Sequence, residues 1–215
     1  ITKDGEWTHG SEAVSLRPGK GLLGADVIFP VLHGPFGEDG VTQGALDTAG
    51  VAYVGSDTLG SAVCMDKLTL KRLCGFAGIA QVDFVQAFTP GWFEKAVELE
   101  HPVWVKPSRL GSSVGISKVE SGRVALEQAV AEAAVHDPRV IIEANSTGRE
   151  VECSVLGNED PQTSQPGEIM ADADWYDYEA KYTEGRMNLA VPAAIGEQAT
   201  TELQAMAIEV FTLAG

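Results

Sequence analysis

The sequence predicts an α/β fold, and three observations carry that prediction. A short apolar strand at Val27 to Leu32 runs through a glycine turn into a helix, Val41 to Ala49, and a second strand, Val51 to Val54. Two β-branched strands, Val103 to Val105 and Ile116 to Val119, flank a Gly/Ser loop and read as a hairpin. An alanine-rich amphipathic helix at Arg123 to Val135 then leads to the apolar strand Val140 to Glu143. With 215 residues the chain can bury a sizeable core, as one large domain or two small ones.

Taken in order, residues 1 to 24 are polar and glycine-rich, with little periodicity. Gly19-Lys20-Gly21-Leu22-Leu23-Gly24 matches G-x-G-x-x-G, but a dinucleotide fingerprint needs a strand before it and a helix after. Here the strand follows, so the stretch reads as a loop. Val27 to Leu32 is expected to be a buried strand ending at His33, before the tight turn Gly34 to Gly40. His33, Glu38 and Asp39 would then lie at the carboxyl end of a strand, where open α/β sheets hold ligands. The plainer reading is a turn histidine bonded to backbone and two helix N-terminal acids.

From Thr58 the pattern is helical, with Asp66 as the expected N-cap of the segment carrying Lys67. A lysine in a first helical turn opposes the helix dipole, which marks Lys67 as a candidate anion ligand, although single surface lysines are common. Gln81 to Ala87 reads as a strand and Pro90 to Glu100 as a helix. Glu143, an acid at the end of a buried strand, suits either a ribose hydroxyl or the capping of the next turn. Glu150 to Leu156 alternates as a strand with Glu150, Glu152 and Ser154 on one face, and residues 157 to 167 read as a polar loop. Trp175 to Tyr182 crowds four aromatics and Lys181 into eight residues, a composition that suits either core or a nucleobase. Glu197 to Leu213 is a final amphipathic helix.

The central loop carries the most chemistry. Gly111 and Gly115 are expected to let backbone N–H groups turn inward, Ser112 and Ser113 add hydroxyl donors, and Lys106 supplies a point charge from the preceding strand. That set suits phosphate, although Gly and Ser are also the ordinary residues of turns. It is not a Walker A loop, because no G-x-x-x-x-G-K-[ST] occurs and the loop joins strand to strand.

Composition narrows the partners. Fifteen Lys and Arg stand against 31 Asp and Glu, a net charge of −16, which argues against a nucleic-acid surface, since phosphate backbones need a basic footprint. An anionic ligand would need a local cation cluster. No apolar run approaches the roughly 20 residues of a membrane helix and no signal peptide opens the chain, so a cytoplasmic protein is expected. Cys64, Cys74 and Cys153 are set among apolar neighbours and read as free, buried thiols. His9, His33, His101 and His136 lack metal-ligand spacing. The start at Ile1 without methionine and the stop at Gly215 lead to the expectation of a chain cut at both ends.

Taken together, His33-Gly34-Pro35-Phe36-Gly37-Glu38-Asp39-Gly40, Gln43-Gly44, Tyr53-Val54-Gly55-Ser56, Met65-Asp66-Lys67, Lys106-Pro107-Ser108-Arg109 with Gly111-Ser112-Ser113-Val114-Gly115, and Tyr176 to Tyr182 resemble the D-alanine–D-alanine ligases. Those enzymes have the ATP-grasp fold, and the likeness runs over nearly the whole chain in order. It implies an ATP-grasp fold with a partial N-terminal α/β substrate domain over 1–57. A central lid subdomain over 58–142 would carry the phosphate hairpin 106–116, and a truncated C-terminal subdomain over 143–215 would carry a substrate-covering loop, 175–190. It also implies ligation of two D-alanine molecules for peptidoglycan, through an acyl phosphate made from ATP. Lys67, Lys106, Ser113 and Lys181 would hold phosphates, Glu143 and Glu150 the adenosine end, and Trp175 would pack on adenine. His33 would sit near the first D-alanine, with Ser112 and Tyr182 in a hydrogen-bonded group ordering the substrate site. Tyr182 favours an amine over the hydroxyl of D-lactate as the second nucleophile.

Leu110 stands where the family usually has an acid, and Ala144-Asn145-Ser146 replaces its usual bulky apolar run. The family's first glycine-rich strand and its C-terminal magnesium ligands have no counterpart here. Magnesium would be held beyond Gly215, this chain alone would be inactive, and homodimerisation is implied by the resemblance only. The alternatives are a D-alanine–D-lactate or other ATP-grasp carboxylate–amine ligase, and a noncatalytic nucleotide-binding module.

Overall fold

The computed structural model describes residues 1–2, 4–171 and 187–215. The chain divides into two compact units, Ile1–Cys64 and Met65–Gly215. In the first, β1 (Thr8–His9) and β2 (Glu12–Ala13) form an antiparallel hairpin, and β3 (Val27–Ile28) pairs in parallel with β4 (Ala52–Tyr53). Between them α1 (Val41–Ala49) makes the crossover that a parallel pair requires. Leu46 and Ala49 of α1 are fully buried with Leu22 and Val51, against Trp7, Ile28 and Tyr53. Gly50, left-handed at φ 71°, closes the helix by donating to the carbonyls of Leu46 and Asp47. The Gly19 to Gly24 stretch is a loop, with the Gly19 and Gly21 amides donating to the end of α1.

The expected strand Val27 to Leu32 is corrected to two residues, and it is not buried: Phe29 is 70% and Val31 73% exposed. β4 covers one edge only, and Pro30 removes a donor from the ladder. In the turn that follows, the acids do local work. Glu38 accepts from the Gly34 amide at 2.5 Å, and Asp39 from those of Phe36 and Val41 at 2.8 and 3.2 Å. α2 (Thr58–Met65) follows.

The second unit begins with α3 (Lys67–Ala77), capped as expected by Asp66, whose carboxylate accepts from the Thr69 amide. Its main sheet contains β5 (Phe84–Gln86), β6 (Val103–Pro107), β7 (Ser117–Val119) and β8 (Val140–Ala144) in the order β5-β8-β6-β7, all antiparallel. The helix expected at Pro90 to Glu100 is shorter, α4 (Trp92–Val97), while α5 (Arg123–His136) fills its predicted span. Val103, Val105, Val140 and Ile142 form the core with Leu126, Ala129, Val130 and Ala133 of α5. A second sheet orders β13 (Met187–Ala190), β12 (Gly167–Ala171) and β9 (Glu150–Glu152). The strand expected over Glu150 to Leu156 is broken, since β10 (Val155–Leu156) pairs instead with β11 (Gln162–Thr163) inside the expected loop. α6 (Glu197–Ala214) packs on α3, β10 and β11. The three cysteines form no disulfide, but only Cys74 is buried; Cys64 is exposed and Cys153 half-buried. None of the described helices is long and apolar enough to cross a membrane.

Candidate functional site

Period-two alternation gives the main sheet two faces. Val103, Val105, Val140 and Ile142 point into the core, so Trp104, Lys106 and Glu143 point the other way, with Lys118 paired to Trp104 across β7. On that side lies a cavity of about 890 Å³, a size usual for small-molecule sites. The strands contribute Trp104, Lys106, Lys118 and Glu143, the hairpin Ser113 and Ile116, and the segment after β8 contributes Asn145, Arg149 and Glu150.

Its electrostatic centre is Glu143, 7% exposed. Lys106 Nζ donates to Glu143 Oε2 at 2.5 Å, and Lys71 Nζ lies 3.2 Å from Oε1. Burial pushes the Glu143 pKa up, but the two ammonium groups prevail and hold it below the ordinary glutamate range. Lys67 extends the cluster: its amine donates to the carbonyls of Leu110 at 2.5 Å and Ser108 at 3.4 Å. Burial, and then the like charge of Lys106, lower the Lys67 pKa. A chain of net charge −16 thus gathers three lysine amines, those of Lys67, Lys71 and Lys106, around one carboxylate and one loop.

The hairpin is strained where a ligand loop would be. Ser112 and Ser113 are left-handed, at φ 52° and 60°, a conformation costly for residues with a Cβ. Gly115 is left-handed as well, at φ 68°, whereas Gly111 is not. Gly115 has no room for a side chain, because a Cβ there would lie 2.6 Å from His136 Cδ2 and 2.9 Å from Pro107 Cγ. The root is braced by Asp137, 4% exposed, which accepts from the Arg109 amide and guanidinium and from the Arg139 amide. Burial opposes ionisation of Asp137, but the Arg109 and Arg139 donors outweigh it and keep its pKa low. Beyond β8, Arg149 grips Glu168 with two guanidinium nitrogens and donates to the Ala194 carbonyl at 2.6 Å, fixing the chain just before Glu150.

Of the residues singled out from sequence, Lys106, Ser113, Glu143 and Glu150 line this one cavity. Lys67 stands at the hairpin root, and Ser112 precedes Ser113 in the hairpin. His33 is an exposed residue of the first unit. Trp175, Lys181 and Tyr182 lie outside the described residues. Sequence reasoning missed Lys71, Lys118, Trp104 and Arg149. Lys71 had a signal, being one helical turn from Lys67. Asn145 was noted only as a departure, yet its Oδ1 accepts from Trp104 Nε1 at 2.9 Å.

Two family models match the chain: "D-ala D-ala ligase N-terminus" over residues 2–56 and "D-ala D-ala ligase C-terminus" over residues 73–215. The chain belongs to the D-alanine–D-alanine ligase family. It is similar to the D-alanine–D-alanine ligase of Enterococcus gallinarum, 38% identical, with all of this chain and 76% of that protein covered. The ligases of Deinococcus radiodurans and Solibacter usitatus are each 43% identical over 98% of this chain, and 69% and 64% of their lengths are covered. Among solved structures, the VanG D-Ala:D-Ser ligase of Enterococcus faecalis matches with a TM-score of 0.83 at 36% identity, over 94% of this chain and 63% of that one. The D-alanine–D-alanine ligase of Coxiella burnetii matches with a TM-score of 0.79 at 30% identity, over 94% and 57%. The chain therefore spans between about three quarters and somewhat over half the length of these ligases. Its fold is the α/β, ATP-grasp fold of that family.

Proposed function

We propose that the Lys106–Glu143 cavity is the nucleotide site of an ATP-dependent D-alanine–D-alanine ligase acting in peptidoglycan synthesis. The observation that carries the reading is the gathering of cationic and hydroxyl donors and of carboxylates around one cavity. Lys106, Lys67 and Ser113 suit phosphate oxygens, while Glu143 and Glu150 suit the exocyclic amine and hydroxyls of an adenosine. Trp175 is assigned to the adenine face and Lys181 to the phosphates. The reaction transfers the terminal phosphoryl group of ATP to the carboxylate of one D-alanine, releasing ADP. The amine of the second D-alanine then attacks that carbonyl and expels phosphate. Such catalysis is mostly positioning and charge stabilisation, which is what converging lysines supply.

His33 is assigned to the first D-alanine, and Ser112 and Tyr182 to a hydrogen-bonded group that orders the substrate site and the loop covering it. The division into a substrate domain over 1–57, a lid over 58–142 and a C-terminal half over 143–215 belongs to this reading, as do homodimerisation and a cytoplasmic location. ATP and magnesium belong to this reading as well; among the described residues no three His, Cys, Asp or Glu side chains are grouped to hold a metal ion. A second reading, D-serine as the second substrate, is favoured by the likeness to a D-Ala:D-Ser ligase. Supplying the full-length protein with ATP, magnesium and D-alanine, and then adding D-serine or D-lactate in competition, tests both. D-alanyl-D-alanine and equimolar ADP are expected. A preferred D-alanyl-D-serine product would select the second reading, and D-alanyl-D-lactate would refute the role given to Tyr182.

A further inference from the structure

We infer that Asp66 and Ser108 are positioning residues that lock Lys67 to the root of the phosphate hairpin, so that amine and loop meet the phosphates as one unit. Ser108 is fully buried at the end of β6. Its hydroxyl donates to Asp66 Oδ1 at 2.6 Å and accepts from the Leu68 amide at 3.0 Å. Its carbonyl accepts from the Lys67 amide at 3.1 Å. The Asp66 carboxylate also accepts from the Thr69 amide and stands 2.9 Å from Arg139 Nε, an ion pair. Residues about 40 positions apart in sequence are therefore tied through one hydroxyl and one carboxylate.

The tie decides which part of α3 is available to an anion. A helix N-terminus ordinarily offers its first amides to phosphate. Here the amides of Lys67, Leu68 and Thr69 are all taken within the protein, by the Ser108 carbonyl, the Ser108 hydroxyl and the Asp66 carboxylate. What α3 presents is the Lys67 amine. Two of its three N–H donors go to the carbonyls of Leu110 and Ser108, which fixes the amine and leaves the third donor for a ligand. Without the Ser108 hydroxyl, the Leu68 amide would be left buried and unpaired, and the first turn of α3 would part from the loop.

This inference rests on the reading of Lys67 as a phosphate ligand, and the experiment separates the two. Affinities for ATP and for adenosine are measured by calorimetry on the native chain and on K67A, S108A, D66A and D66N, with a thermal melt of each. Because Lys67 acts on phosphate alone, K67A, S108A and D66A should each weaken ATP by roughly tenfold, the loss of about one charge-assisted contact, and leave adenosine within about twofold. D66N keeps the acceptor oxygen and should retain ATP affinity within about threefold. In a K67A background, S108A should cost ATP nothing more. Equal losses for ATP and adenosine in S108A, or D66A and D66N behaving alike, would overturn the inference while leaving Lys67 its role. Unchanged ATP affinity in K67A, or a native chain that binds no ATP, would overturn the phosphate reading and this inference together. Should S108A fail to fold, D66A against D66N decides.

Discussion

Replacing Glu143 by Gln removes one buried charge and leaves two lysine amines without their counter-ion. The side chains of Lys71 and Lys106 are only 16% and 24% exposed, and that of Glu143 is 10% exposed. Breaking a buried ion pair by deleting one partner costs about 3–5 kcal/mol, and the partial access of both lysines to water reduces this to roughly 2–3 kcal/mol. For a unit of this size that is a fall in Tm of roughly 5–10 °C. The assay is thermal unfolding of the native chain and E143Q across pH. The folded-state pKa of Glu143 is depressed, so its contribution is complete above the ordinary value of 4.5 and is lost as pH falls through the lower folded value. The gap between native and E143Q should therefore be widest near neutrality and close on the acid side, where a protonated Glu143 resembles Gln. Inorganic tripolyphosphate should stabilise E143Q more than the native chain, because it no longer competes with the carboxylate for the amines. A variant melting within about 1 °C of native at pH 7, or a gap that persists in acid, would refute the charge balance drawn here.

Three further outcomes follow from the same geometry. ATP binding should take up protons at alkaline pH, between the lowered Lys67 pKa and the usual lysine value of 10.5, because phosphate restores the charged amine. Calorimetry in two buffers of different ionisation enthalpy would reveal it, and K67M should abolish it. Gly115→Ala should destabilise by at least about 1–2 kcal/mol, from a left-handed Cβ that collides with His136 and Pro107, and chemical denaturation would show it. Asp137→Ala should cost about 2–4 kcal/mol, since it strips four donors of one buried acceptor, and limited proteolysis should then cut at the hairpin root first.

Elements with a strong period or clear punctuation were legible in the sequence. α1 matches its predicted limits, and Asp66 caps α3 because the side-chain oxygen and the amide three residues on sit in a fixed local geometry. The two-residue strands β1, β2 and β11 carry too few positions for alternation to register. The strand at Val27 was overread because an apolar run records what a residue prefers, not whether a neighbouring strand covers it. In the hairpin the phosphate-like composition was plain, but two of the left-handed positions, beside Gly115, fall on Ser112 and Ser113, where loop closure overrides residue preference. Lys106, Glu143 and Glu150 were marked one by one. That they line one cavity depends on the pairing of β6 with β8, a contact between distant segments that no local pattern encodes.

The most direct test of the central claim is amide hydrogen exchange of the chain with and without ATP. Slower exchange is expected in two separate segments, the hairpin over 106–116 and the strand end and turn over 143–151, and it should vanish in Lys106→Ala. ATP binding that protects neither segment, or protects them equally in Lys106→Ala, would contradict the placement of the nucleotide in this cavity.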